Sequence, residues 1–232
     1  MTGREKILGR IREALTVPAP HPGAHDAHGS QAPHTSFKGR PVHVARSWMP
    51  PGGDTFEEQV VRFRAASTEL KTDFRFVGSR DEAFTELARI RDTEGWKSAA
   101  THRAELPSAA AASLGLPVIH TDEGYDVDAL ESCDVGISGC DVLVAQTGTV
   151  VVTNRSAGGR ALSVLPPHHV VVATRDQLVR DLTEAFARVQ ETYGSSYPSM
   201  ISFITGPSRT GDIERILVLG AHGPKKLTVL CW

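Results

Sequence analysis

Two hydrophobic rhythms run along this chain, one near 3.6 residues and one of short unbroken apolar runs, and their order predicts the fold class. Residues 4–15 place Ile7, Leu8, Ile11 and Leu15 on one face of an amphipathic helix that ends before Pro18. Residues 17–41, "VPAPHPGAHDAHGSQAPHTSFKGRP", hold too few apolar side chains to offset the entropy of ordering them, so a flexible or extended linker is expected. Residues 54–71 predict a helix with Asp54 as N-cap and Glu57 three positions on. A strand at 74–77, a helix at 80–93, a strand at 98–101, a helix at 107–114 and a strand at 117–120 follow. Such alternation points to a largely parallel sheet. Strands then crowd together at 135–138, 149–153, 161–165 and 170–174, implying hairpin-like connections, before a helix at 176–191 with Leu178, Leu182, Ala185, Phe186 and Val189 on one face. A strand at 201–205 comes next, and the final strands, 215–219 and 227–231, carry consecutive Ile, Leu and Val as strands covered on both faces do. The expectation is an α/β fold, a mostly parallel sheet flanked by helices, with an N-terminal helix on a linker. The corresponding segments are 1–16, 17–41 and 42–232.

Composition narrows the class of function. A formal net charge of -2 with 22% charged residues produces no field favouring nucleic acid or an anionic membrane. No apolar stretch reaches about 18 residues, and the first residues alternate charged with apolar positions, so a cytoplasmic protein without a membrane span is expected. Cys133, Cys140 and Cys231 match neither a disulfide framework nor the short repeats that hold metals or iron-sulfur clusters. No cofactor or metal is therefore expected on this chain alone. His21, His25, His28 and His34 lack regularly spaced partners, and their surroundings read as a solvated loop.

Candidate chemistry gathers in four segments. In "GISGCDVLVAQTGTVVVT", Thr147-Gly148-Thr149 forms a turn into a strand, where Gly148 can take a positive φ and admit a ligand to the backbone; a plain hairpin is the competing reading, and Asp141 is as well suited to capping. Pro166-Pro167-His168-His169 reads as a rigid corner between strands, with at most one histidine facing any site. "GPSRTGDIE" has the glycine spacing of a P-loop, but Asp212 and Ile213 stand where that motif needs Lys and Ser or Thr, and no GxSxG surrounds Ser208. What remains is a donor-rich loop bounded by Gly206 and Gly211, opening a short helix near Asp212. Its N-H groups attract an anion, Arg209 can grip a carboxylate or phosphate, and Asp212 caps the helix or orients Arg209. In "GAHGP", His222 between Gly220 and Gly223 is suited to handling a proton.

Taken in order, "GISGCDVLVAQTGTVVV", "LSVLPPHHVVV", "GPSRTGDIE" and "GAHGPKKLTVL" resemble the successive motifs of the lactate-utilization protein C family, a group of LUD-domain proteins. The resemblance covers about residues 134–232, and the helix-plus-linker layout is similar too. It implies a fold like the NagB/RpiA/CoA-transferase superfamily for residues 42–232. It also implies work beside an iron-sulfur protein and a second subunit that together oxidise L-lactate to pyruvate, the clusters residing in the partner. Gln146 departs from the family, where that position is commonly acidic. The expected pocket joins Thr147, Gly148, Thr149, Gly206, Ser208, Arg209, Thr210, Gly211, Asp212, His222 and Gly223 around a small carboxylate or phosphate-bearing ligand. Arg209, Asp212 and His222 are the catalytic candidates. Alternatives are a non-catalytic scaffold subunit docking through the N-terminal helix, or a stand-alone enzyme acting on coenzyme A esters or phosphosugars.

Overall fold

In a computed structural model of the chain, residues 3–16, 49–194, 196–210 and 218–232 are described. The predicted linker lies outside these residues. The chain divides into two units, Met1–Arg46 and Ser47–Trp232. In the first, helix α1 spans Gly3–Leu15, with Ile7 62% and Leu8 39% exposed.

The second unit is built on a six-stranded, all-parallel sheet. Its strands are β1 (Asp73–Phe76), β2 (Ala99–Thr101), β3 (Val118–His120), β4 (Val135–Ser138), β7 (His168–Ala173) and β12 (Lys226–Cys231), in the order β1-β12-β7-β4-β2-β3. A smaller sheet orders β8 (Leu178–Val179), β5 (Val142–Val144), β6 (Thr149–Thr153) and β9 (Ile201–Ile204), with β6 antiparallel to β5 and β9. A two-stranded ribbon pairs β10 (Arg209–Thr210) with β11 (Val218–Leu219).

Side-chain alternation sorts the core into layers. Along β7, Val170 and Val172 face α3 (Arg80–Glu94) and α4 (Glu105–Ser113), whose Leu87, Ile90 and Ala110 pack against them together with Leu114 at the end of α4. Val171 and Ala173 face the other way, onto Phe63 of α2 (Phe56–Leu70) and onto Leu143, Val150 and Val152 of the smaller sheet. That sheet's far side, Val142, Val144 and Val151, is covered by Ala185 and Val189 of α6 (Leu182–Tyr193). A short helix, α5 (Val127–Glu131), closes the end near Leu162. Phe63 and Leu87 are fully buried, and each such side chain contributes about 1.5–3 kcal/mol.

Mostly parallel strands flanked by helices match the expectation, and the unbroken apolar run at the C-terminus lies inside the sheet between β1 and β7. Several boundaries differ for physical reasons. Helix α2 is capped by Thr55, whose hydroxyl accepts from the Glu58 N-H while Glu58 reaches back, so the capping box sits one residue beyond Asp54 and Glu57. Residues 161–165 form turns, with the N-H groups of Val164 and Leu165 both donating to the Ala161 carbonyl. The helix expected at 176–191 starts only at Leu182, because Asp181 accepts from the Glu184 N-H and the preceding Leu178–Val179 pairs with β5. Within the strand expected at 215–219, the described Val218–Leu219 belongs to the small ribbon, and Leu219 is 50% exposed. Among the described residues, no helix is long and apolar enough to cross a membrane.

Candidate functional site

The Thr-Gly-Thr turn and the loop after β9 meet at the C-terminal end of α2. The turn joins β5 to β6, closed by the Gly148 N-H donating to the Val144 carbonyl at 3.0 Å. Gly148 has φ +63, as expected, but its open side faces protein: a Cβ there would lie 3.0 Å from the Ala66 Cβ and 3.1 Å from the Ser67 nitrogen. The backbone that closely approaches Gly148 is α2. Beside it runs a chain of hydroxyls, Thr147 to Thr149 at 2.7 Å and Thr149 to Thr205 at 2.8 Å. Thr149 is buried, Thr147 half-buried and Thr205 exposed, so the chain leads outward to the start of the next loop. Gln146, at the position commonly acidic in the resembled family, donates from its amide to the Pro50 carbonyl at 2.8 Å.

Gly206 opens that loop with φ +97, and a Cβ there would stand 3.1 Å from the Leu70 carbonyl oxygen and 3.9 Å from Arg209 Nη2. Arg209 therefore folds back toward the loop's start. Ser208 ties the loop to the Gly220–Pro224 turn, its N-H donating to the Pro224 carbonyl at 2.9 Å and its carbonyl accepting from the Gly220 N-H at 3.0 Å. A Cβ on Gly223 would meet the Ser208 Cβ at 3.3 Å. Arg209 and Thr210 then pair with Leu219 and Val218 in the ribbon. Gly211 and Asp212 lie outside the described residues, as does the short helix expected near Asp212. Arg209 and His222 are both exposed, and neither forms an ion pair or hydrogen bond with a described side chain. The structure thus gathers Thr147, Gly148, Thr149, Gly206, Ser208, Arg209, Thr210 and Gly223 around two linked loops. His222 sits on the same turn as Gly223.

These loops lie toward the amino ends of the parallel strands, since the turn feeds β12 and the N-H groups of Lys225 and Lys226 both donate to the Pro167 carbonyl just before β7. Ligands of open α/β sheets more often sit beyond the carboxyl ends. At that opposite end, His102 follows β2, is 5% exposed and has neither ring nitrogen hydrogen-bonded. Burial pushes its pKa down.

The Pro-Pro-His-His segment leads directly into a buried strand. His168 and His169 are the first residues of β7, 5% and 1% exposed, on opposite faces of the sheet. His168 Nε2 bonds the Thr228 hydroxyl at 2.9 Å, and His169 Nε2 bonds that of Ser138 at 2.8 Å. Burial lowers their pKa values to about 4 and about 3, so both are neutral at pH 7. Asp141 is no helix cap: it accepts from Tyr193 and, at 2.5 Å, from Ser156, joining β5 to α6. Sequence spacing held no sign of this network, whose members lie up to 52 positions apart. Cys133, Cys140 and Cys231 are buried and unpaired; burial raises all three thiol pKa values, Cys231 to about 12. Among the described residues, no group of three or more His, Cys, Asp or Glu side chains could hold a metal ion.

The LUD domain family matches residues 62–231. A protein of Geobacillus kaustophilus named lactate utilization protein C is 42% identical over 103 residues, covering 44% of this chain and 43% of its own. Proteins of the same name from Geobacillus thermodenitrificans and Oceanobacillus iheyensis are 40% and 36% identical over 103 and 102 residues, covering 44% and 43% of this chain and 43% and 44% of theirs. The aligned part thus spans less than half of these relatives. A crystal structure of a DUF162 family protein from Deinococcus radiodurans superposes with a TM-score of 0.62 at 22% identity, over 76% of this chain and 98% of that one; it shares the fold.

Proposed function

We propose a function from the premise that this chain belongs to the LUD domain family: it is a component of a lactate-utilization system and binds a small anionic ligand at the two linked loops. The relatives named lactate utilization protein C support the system. In this reading the chain works beside an iron-sulfur partner and a second subunit that carry the electrons from L-lactate as it becomes pyruvate. The observation that carries the site is Arg209. It is an exposed guanidinium without an ion-pair partner among the described residues, folded back on Gly206, in a loop that Ser208 holds against the glycine turn bearing His222.

Chemically, such a guanidinium offers paired N-H donors to a carboxylate or a phosphate, a geometry a lysine does not reproduce. The ligand's remaining oxygens would take hydroxyls from the Thr147, Thr149 and Thr205 chain, and His222 would exchange a proton with the bound molecule. Gln146 contributes no carboxylate, which favours binding over covalent acyl transfer by this chain. The test is growth on L-lactate of a strain carrying Arg209→Ala. Growth should slow strongly at unchanged protein levels, and unchanged growth at those levels removes Arg209 from the mechanism.

One observation favours a second, scaffold reading. Helix α1 exposes Ile7 and Leu8 on its apolar face, and an amphipathic helix of this kind gains stability by burying that face on a partner. Deleting residues 1–15 should abolish co-purification with the iron-sulfur partner; undiminished co-purification would rule out docking by this helix.

A further inference from the structure

A cavity of 320 Å³ opens at the amino ends of β1, β12 and β7, and none of the loop residues assigned above lines it. Its walls carry four cationic side chains, Lys71, Arg75, Arg89 and Lys226, against two carboxylates, Asp73 and Glu94. Three of the cations are held in place. Arg75 bridges Asp73 at 2.9 Å and Glu86 at 2.7 Å, Arg89 pairs with Glu86, and Lys226 grips Glu94 at 2.6 Å. Lys71 has no ion pair among the described residues and is the one non-glycine residue there with positive φ, at +65. A left-handed backbone is costly for a lysine, and here it turns the chain from α2 into the cavity wall.

Hydroxyls and an imidazole complete the lining. Thr93 and Thr228 reach the cavity, and His168 is a lining residue whose Nε2 is bonded to Thr228 while its buried Nδ1 has no partner. Unpartnered buried polar atoms are rare because each forfeits a hydrogen bond. Prearranged guanidinium groups, ammonium groups and hydroxyls, with cations in excess, match a dianion with several acceptor oxygens better than a single carboxylate. The volume suits a small molecule.

We infer that this cavity is a binding site for the phosphoryl group of a small phosphate-bearing ligand, separate from the Arg209 loop. Lys71 supplies the mobile charge, Arg75, Arg89 and Lys226 the fixed cations, and the Thr228 hydroxyl bonds a remaining oxygen.

An NMR titration of the full chain with inorganic phosphate, against chloride at matched ionic strength, tests this. The amide signals of Lys71, Asp73, Thr93 and Thr228 and the indole N-H of Trp96, whose ring meets His168 edge-on at 5.0 Å, should shift saturably with phosphate alone. Lys71→Gly keeps the backbone angle without strain and should weaken binding about tenfold, as the loss of one charge-assisted contact does. Lys226→Met provides the same reading should Lys71→Gly fold poorly. Arg209→Ala should leave these shifts unchanged. No saturable shift in the unsubstituted chain, or equal affinity after loss of either lysine, would overturn the site. Loss of these shifts in Arg209→Ala alone would assign the phosphate to the loop instead.

Discussion

Acidification should destabilise this protein before most of its carboxylates protonate, because two adjacent histidines are buried neutral on a central strand of the sheet. The folded pKa values, about 4 for His168 and about 3 for His169, lie below the ordinary histidine value. The unfolded chain therefore binds more protons between about pH 6.5 and 3, and stability falls as pH falls through that window. At pH 5 each histidine has lost about 2 kcal/mol relative to pH 8, roughly 4 kcal/mol together, a large part of a typical total of about 5–15 kcal/mol. His102, also depressed by burial, adds in the same direction. Urea unfolding followed by tryptophan fluorescence at pH 8 and pH 5 measures the difference. With a slope of ~2.5 kcal/mol/M the midpoint should drop by about 1.6 M. His169→Asn keeps a polar partner for Ser138 and should remove about half of the drop, whatever its own cost at pH 8. A midpoint shift below about 0.5 M at unchanged slope would refute neutral burial of this pair.

Gly148→Ala and Gly115→Ala separate backbone strain from crowding, since the glycines have φ +63 and +64 but only Gly148 has atoms within 4 Å of the added methyl. Gly148→Ala should cost about 1–3 kcal/mol more in urea unfolding, and equal costs would show that α2 yields freely. All three thiols should resist alkylation in the native protein and react together once unfolded, because burial raises the pKa of Cys133, Cys140 and Cys231. A thiol that reacts within minutes in the native state would contradict that burial.

Periodicity revealed the parallel sheet because its strands, covered on both faces, are apolar at most positions, as in "LTVLC" of β12. The same criterion misread residues 161–165 as a strand and misplaced the strand at 218–219, which lies in the small ribbon. Leu162 is buried from a turn and Leu219 stays half exposed in a ribbon strand, so an apolar run alone fixed neither the strand nor its burial. Pro166 and Pro167 read as a corner, yet the strand begins at the very next residue and carries both histidines into the core. Of the two loops, the positive φ of Gly148 was legible from glycine placement. What fills the space beside Gly148 was not, because that depends on where a helix 80 positions earlier comes to rest. The basic cavity was equally hidden, since its cations come from the cap after α2 and from β1, α3 and β12 and form no cluster in sequence.

The C-terminal end of α2 links the two anion sites proposed here. Leu70 offers its carbonyl to the close approach of Gly206 at the start of the Arg209 loop, and the next residue, Lys71, turns left-handed into the cavity wall. The Lys71 N-H donates to the Ser67 and Thr68 carbonyls, so this cap holds the cavity lysine and the wall of the loop in one geometry. A cation at a helix C-terminus is favoured by the helix dipole, which accounts for a lysine here but not for its left-handed backbone. A glycine would give the same cap without strain. The added cost of lysine is explained if its ammonium group is needed where the cap directs it, at the mouth of a cavity already lined with three other cations. Lys71→Gly should then leave the fold as stable or more stable while weakening phosphate binding. A variant that loses stability and keeps binding would instead make Lys71 a structural residue.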